Sequence, residues 1–335
     1  MHGRDDAFAR RLYTYNWMVI GAMALALGAG MMLGGFSLAP ASLLRPGLAV
    51  IGCTIAAFYW SIRLRGGAMP LQILGATGQL LLIAALCTPL TYVAASANLP
   101  MQDTALTALD DALHLDWRVY FHWMTGSHAL VTAAVFSYAM ITWPAVGVPV
   151  VLGFARRYRR LQEFILAVAL SLIATTLISI LVPAMGTYDF FHIAPDPALF
   201  TPGSYLQQVH DLPLIRSGAL RDLDLTKLTG IVTFPSFHAS AAILYIWAFW
   251  SMRWTRVAAL FIYGAMLIAT PLIGGHYFID LVAGVAVAAA AIALARAATN
   301  RLARTEPSPW PVMLGPRRPA GSGHGLTSRS GNHPR

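Results

Sequence analysis

Charge is what this 335-residue chain has least of. Asp, Glu, Lys and Arg together make up 11% of it, hydrophobic side chains make up 57%, and mean hydropathy is +0.61. Soluble globular domains carry about 25% charged residues, so that class is excluded. Lysine is almost missing: Lys227 is the single one, and arginine supplies the remaining fixed cations. Cysteine is limited to Cys53 and Cys87, each inside an apolar segment. They read as small core residues, with neither a disulfide framework nor a metal site to build. Internal repeats are lacking too. The net charge of +9 is scattered over short loops and the tail. It forms no single patch, so nucleic acid is not an expected partner.

What is present is a series of apolar runs of about 20 residues, the length that crosses roughly 30 Å of hydrocarbon. Eight spans are expected, at 17–36, 48–62, 71–96, 129–152, 162–182, 238–252, 257–273 and 277–295. The first has no small-residue cleavage site and is read as a membrane helix, not a signal peptide. The fourth carries Pro144 and Pro149, which predict a kink or an early end. The fold class is therefore all-α and polytopic. Its expected parts are a cytoplasmic N-terminus at 1–16, two N-terminal spans within 17–70, a core at 71–296 with a long loop at 183–237, and a disordered basic tail at 297–335.

Arginine placement predicts the topology. With the N-terminus cytoplasmic and eight spans, eighteen Lys and Arg residues fall on the cytoplasmic side and five on the other. Arg156-Arg157-Tyr158-Arg159-Arg160 is then a topology anchor. Both termini are expected in the cytoplasm, of a bacterial inner membrane. The motifs around His238 and His276 then face the extracytoplasmic side.

Those two motifs carry the chemistry. One is Thr233-Phe234-Pro235-Ser236-Phe237-His238-Ala239-Ser240 and the other Gly274-Gly275-His276-Tyr277-Phe278-Ile279-Asp280, with one apolar hairpin between them. The i,i+4 spacing puts His276 and Asp280 on one helix face. A carboxylate there fixes the imidazole tautomer and leaves the other nitrogen more nucleophilic. His238 can then protonate a leaving oxygen as general acid. Imidazole attack on phosphorus, a phosphohistidine, and attack by an acceptor hydroxyl fit these parts. Neither a metal nor another cofactor is called for. For the anionic phosphate, the expected donors are the helix start after Pro235, including Ser236, and the backbone at Gly275. Arg216, Lys227 and Arg118 are the candidate cations. Tyr188, Asp189 and His192 lie in the same external loop and are candidates to shape a headgroup site. His114, His122, His128 and His210 read as loop or interface residues.

Phe234-Pro235-Ser236-Phe237-His238 resembles the second signature, and Gly275-His276-Tyr277-Phe278-Ile279-Asp280 the third, of the type 2 phosphatidic acid phosphatase superfamily. Within it, the chain looks most like the branch containing inositol phosphorylceramide synthases. The resemblance covers about residues 71–295. It implies a six-helix membrane core with the two N-terminal spans added, His276 as nucleophile, Asp280 as its orienter and His238 as the acid. The superfamily's first signature, a lysine followed by Arg-Pro, is missing. Ala269-Thr270 stand where Ser-Arg usually begins the third. The synthase branch lacks the same elements, which favours it over a generic lipid phosphatase.

The expected function is transfer of a phospho-headgroup from a phospholipid to a lipid alcohol. Release of phosphate to water is the alternative. No obligate protein partner is evident beyond the membrane lipids. A proton- or ion-coupled transporter is the reading from another class, but its path would need ionisable groups through the spans, which are nearly free of charge.

Overall fold

The computed structural model describes residues 2–62, 68–194 and 205–304. It opens with α1 (His2–Gly34), a two-residue strand β1 (Ser37–Leu38), α2 (Leu44–Ile62) and α3 (Ala68–Ala95). Two short amphipathic helices follow, α4 (Asp103–Ala112) and α5 (Trp117–Thr125). Then come α6 (His128–Ala139), α7 (Pro144–Phe154) and α8 (Tyr158–Leu181). The next loop holds α9 (Thr187–Phe190), α10 (Tyr205–Ser217) and β2 (Asp222–Leu223). The chain closes with α11 (Phe237–Phe249), α12 (Arg253–Ile273) and α13 (Phe278–Arg304).

Six stretches, those of α1, α2, α3, α8, α12 and α13, are long and apolar enough to cross a membrane. The pair α6 and α7, bent by 64° at its junction, passes the same test together, as one broken span or a re-entrant loop. Pro144 explains the bend, because proline has no N–H to give the preceding turn and suits the first position of a new helix. The 13-residue α11 is apolar but shorter. At about 1.5 Å per residue it is about 20 Å long. Each expected span thus has a helical counterpart, and the chain is an integral membrane protein of all-α architecture.

Two boundaries differ from expectation. Helix α1 begins in the segment read as an N-terminal tail, because Phe8, Ala9 and Leu12 fall on one face and are buried there. Helix α13 continues through Arg304 and does not stop near residue 295, since Ala295 and Thr299 extend its buried face. Residues 305–335, where the disordered tail is expected, lie outside the described residues.

The core surrounds α8, which packs on α1, α3, α11 and α13. Its Leu161, Phe164 and Ile165 meet Ala76, Leu80 and Ile83 from α3. Alanines let the last helices come close: Ala241, Ala242 and Ala248 from α11 share the core with Ala288, Ala291 and Ala295 from α13. Small residues at such interfaces give the van der Waals contact that lipid-embedded helices rely on. The outer faces of α1, α2 and α12 expose large apolar side chains, among them Leu25, Leu48 and Phe261.

The N-terminal helices join the core at both ends. At one end the buried Asn16 amide donates to the Gln162 side chain at 2.9 Å, and Gln162 donates to Gln72 at 2.8 Å. At the other, β1 pairs in parallel with β2, placing Ser37 beside Asp222 and Leu38 beside Leu223. The Ser37 hydroxyl donates to the Asp222 carboxylate at 2.9 Å, and the Arg221 guanidinium lies 4.5 Å from the Phe36 ring centre. The connection between α1 and α2 therefore holds the long loop that leads to Ser236.

Replacing Gln162 by Ala strands the Gln72 carbonyl and leaves the Asn16 amide with the backbone carbonyl of residue 162 as its one remaining partner. Unpaired buried polar groups of this kind cost about 1–3 kcal/mol. A lower thermal unfolding midpoint in detergent is the expected result, with helical content unchanged by circular dichroism.

Candidate active site

Two helix starts build the site. Ser236 is the N-cap of α11, where its hydroxyl accepts from the Ala239 N–H at 3.4 Å. Its own N–H donates to the Asp280 carbonyl at 3.0 Å, tying the start of α11 to the start of α13. His238 follows in the first turn of α11. On the other side, α12 ends at Ile273 and the chain reverses through Gly274 and Gly275. Gly275 sits at φ +63°, and a Cβ there would lie 2.6 Å from the Tyr205 ring. Both facts require glycine.

His276 and Asp280 do not sit on one helix face as their spacing suggests. Helix α13 begins at Phe278, so His276 precedes it and Asp280 lies in its first turn. The Asp280 Oδ2 atom accepts from the His276 Nδ1 at 3.1 Å and from the Tyr277 N–H at 2.9 Å. The carboxylate caps its own helix and orients the imidazole at once. Asp280 is 0% exposed and His276 4%, so water does not compete for this bond. With Nδ1–H donated, Nε2 is the free nitrogen and accepts from the Ser236 hydroxyl at 3.3 Å.

His238 completes the group. Its ring stacks on Tyr138 from α6, with centroids 3.8 Å apart and planes 13° from parallel. His238, His276, Tyr138 and Gly274 line one end of a cavity of about 510 Å³ that extends between α3, α6 and α8. The structure therefore brings together the three residues first expected to carry the chemistry. Helix α13 lies close behind them: one turn beyond Asp280, a Cβ on Gly284 would come within 2.3 Å of the Ser236 carbonyl oxygen.

The other candidates lie elsewhere. The Arg118 guanidinium bonds Asp116, the Lys227 ammonium pairs with Asp224 at 3.5 Å, and Arg216 donates to the Leu99 carbonyl at 3.0 Å. None of the three lines the cavity. Each has its own local partner, which sequence proximity to the motif does not reveal. Tyr188 is buried and donates to the Leu272 carbonyl, where it packs on Trp117. Asp189 and His192 are exposed, and none of these three lines the cavity either. Ser236 and Gly275 border His276 from behind, as a cap and a turn.

Several residues at the site carry no motif. Tyr138, and Tyr205 and Gln208 from α10, line the cavity. Two carboxylates on α4 reach the third motif. Asp110 accepts from the N–H groups of Phe278 at 2.8 Å and Ile279 at 2.7 Å. Asp103 accepts from the Tyr277 hydroxyl at 2.9 Å and from the N–H groups of Met185 and Gly186 at 3.0 Å and 2.9 Å. Burial pushes the Asp110 carboxyl above the usual carboxylate range, opposed by these two amide donors. The sequence held one signal for the pair: positions seven apart share a helix face.

A model of the PAP2 superfamily, which groups type 2 phosphatidic acid phosphatases, matches residues 104–294, more than half of the chain. The chain belongs to the PAP2 superfamily. No curated protein and no solved structure matches it. Membership makes the protein an enzyme of phosphate-ester chemistry, with the all-α membrane architecture described above. The PAP2 match begins within α4 and leaves out α3. Yet Cys87, Thr88 and Thr91 of α3 form part of the cavity wall.

Three substitutions test this geometry. Gly284→Ala forces α13 away from the Ser236 carbonyl and should lower turnover of a phosphate ester by about tenfold or more, since ångström-scale misplacement costs up to about 10²-fold. Arg118→Ala and Lys227→Ala should leave turnover within about twofold, as exposed ion pairs contribute little. Steady-state assays in detergent check all three.

Proposed function

We propose that this protein is a membrane-embedded lipid phosphotransferase working through a phosphohistidine at His276. The observation that carries the reading is the His276 imidazole itself: Nδ1 is bound to the buried Asp280, and the ring stands at the wall of the cavity shared with His238. Nε2 attacks phosphorus as the bond to the leaving oxygen breaks, and that oxygen takes a proton from His238. An acceptor hydroxyl then attacks the phosphohistidine, gives its proton to His238, and the Nε2–P bond breaks. Chemistry is thus divided into two in-line steps, each assisted by the same acid–base group.

Helix starts and imidazoles take the place of missing cations. At the start of α13 the amides of Tyr277, Phe278 and Ile279 are already bonded to carboxylates. The amides of Phe237 and His238 in α11 have no such partner among the described residues, so this helix start is the one open to a phosphate. Beside the two histidines, Tyr138, Tyr205 and Gln208, the cavity is lined by apolar side chains and threonines, and among the described residues no Asp, Glu, Lys or Arg lines it. That lining suits the neutral part of a lipid. Taken with the resemblance to inositol phosphorylceramide synthases, this favours transfer to a lipid alcohol over hydrolysis. The excess of arginine on the opposite side supports reading the site as extracytoplasmic, with both termini cytoplasmic, and we take the membrane to be a bacterial plasma membrane.

The Ser236 contact raises a second reading, a serine nucleophile with His276 as its base. Ser236 is 0% exposed and does not line the cavity, whereas His276 does. The histidine is the atom a substrate can reach.

The test is incubation of purified protein with phospholipids, with and without ceramide or diacylglycerol, followed by mass spectrometry. A new phospholipid marks transfer, and free headgroup phosphate or inorganic phosphate marks hydrolysis. His276→Ala should lose at least about 10³-fold in turnover and Ser236→Ala far less. Unchanged turnover in His276→Ala ends the phosphohistidine mechanism.

A further inference from the structure

The turn that presents His276 is held from outside the motif. Residues 275–279 receive support at four points: the Gly275 carbonyl accepts from the Thr187 N–H at 2.9 Å, the Tyr277 hydroxyl donates to Asp103, and the Phe278 and Ile279 amides donate to Asp110. Three of the four lead to α4. Asp103 also grips Met185 and Gly186, immediately before Thr187, so the fourth point depends on it too. Asp110 is 3% exposed, with Leu106 buried on the same face. Leu106 also packs with Ala184 and Tyr277, and α4 contacts α13 and α9.

From this arrangement we infer that Asp103 and Asp110 are positioning residues, a two-carboxylate clamp that sets where His276 presents Nε2 to the cavity. The inference deepens the reading of His276 as nucleophile and rests on it for its catalytic consequence. The physical basis is separate. The first turn of a helix leaves N–H groups without internal partners, and here Asp280 satisfies one while Asp110 satisfies two. Asp280 alone could hold the imidazole in more than one orientation, because a single carboxylate oxygen fixes neither the turn nor the helix axis. Asp110 fixes the axis. Asp103 fixes the turn against the 185–187 segment. The clamp also covers the N–H groups of α13 with carboxylate, which leaves the start of α11 as the place for an anionic substrate.

A residue of this kind changes kcat and leaves substrate affinity alone. Asp110→Ala should lower kcat by about 10- to 100-fold with KM within about threefold, as expected for misplacement of a reacting group. Asp110→Asn keeps one carbonyl acceptor and should fall between wild type and Asp110→Ala; Asp103→Asn should act in the same direction. Two readouts do not depend on activity. Hydrogen exchange at the Phe278 and Ile279 amides should accelerate by at least about tenfold in Asp110→Ala. In protein labelled with ¹⁵N-histidine, the His276 resonances should report a single Nδ1–H tautomer in wild type and a mixture in the variant.

Should Asp110→Ala fail to fold, Asp110→Asn decides the same question. Unchanged kcat, or unchanged exchange and tautomer, in a folded Asp110 variant overturns the clamp. A parallel rise in KM and fall in kcat overturns it as well, since that marks general damage to the site. If His276→Ala retains full turnover while exchange and tautomer respond to Asp110, the nucleophile reading fails and the clamp stands.

Discussion

One buried carboxylate organises this molecule. Asp280 lies without solvent exposure at the start of a membrane helix, where a charge is tolerated only if polar partners surround it. Its Oδ2 atom finds them in His276 and in the N–H of Tyr277, Oδ1 has none among the described residues, and the backbone carbonyl receives the N–H of Ser236. Through those three bonds α11, α13 and the turn between α12 and α13 converge on one point. The alanine-rich contact between α11 and α13, and the Gly284 approach to Ser236, are packing consequences of that convergence.

Outside the spans, short helices do the work of a scaffold. The α4 segment is only ten residues long, yet its carboxylates reach both the 185–186 segment and the start of α13. The long loop before Ser236 is held in its turn by β1, which belongs to the connection between α1 and α2. The N-terminal helices are therefore more than an appendage. They brace the core through Asn16, Gln162 and Gln72 at one end and the approach to the site at the other.

Much of this was legible in the residues. Apolar run length predicts the spans because hydrocarbon thickness fixes how many residues a crossing helix needs. Pro144 announced the break between α6 and α7 for an equally local reason. The pairing of His276 with Asp280 could be read from spacing alone, although the two meet across a helix start and not along a helix face. The charged candidates Arg118, Arg216 and Lys227 were not resolvable in this way. A cation is captured by whichever acceptor lies nearest in space, and Asp116, Asp224 and the Leu99 carbonyl are nearer than the cavity.

The sequence by itself determined the membrane architecture and the pairing of His276 with Asp280, because each depends on composition, segment length or separations of a few residues. Only the tertiary structure decided what surrounds them. Tyr138 stacks on His238 from a helix a hundred positions away, and Asp103 and Asp110 bond Tyr277, Phe278 and Ile279 across about 170 positions. Such contacts have no local signature, since any exposed aspartate or aromatic residue could make them. They arise where the helices pack, and packing is a property of the whole chain.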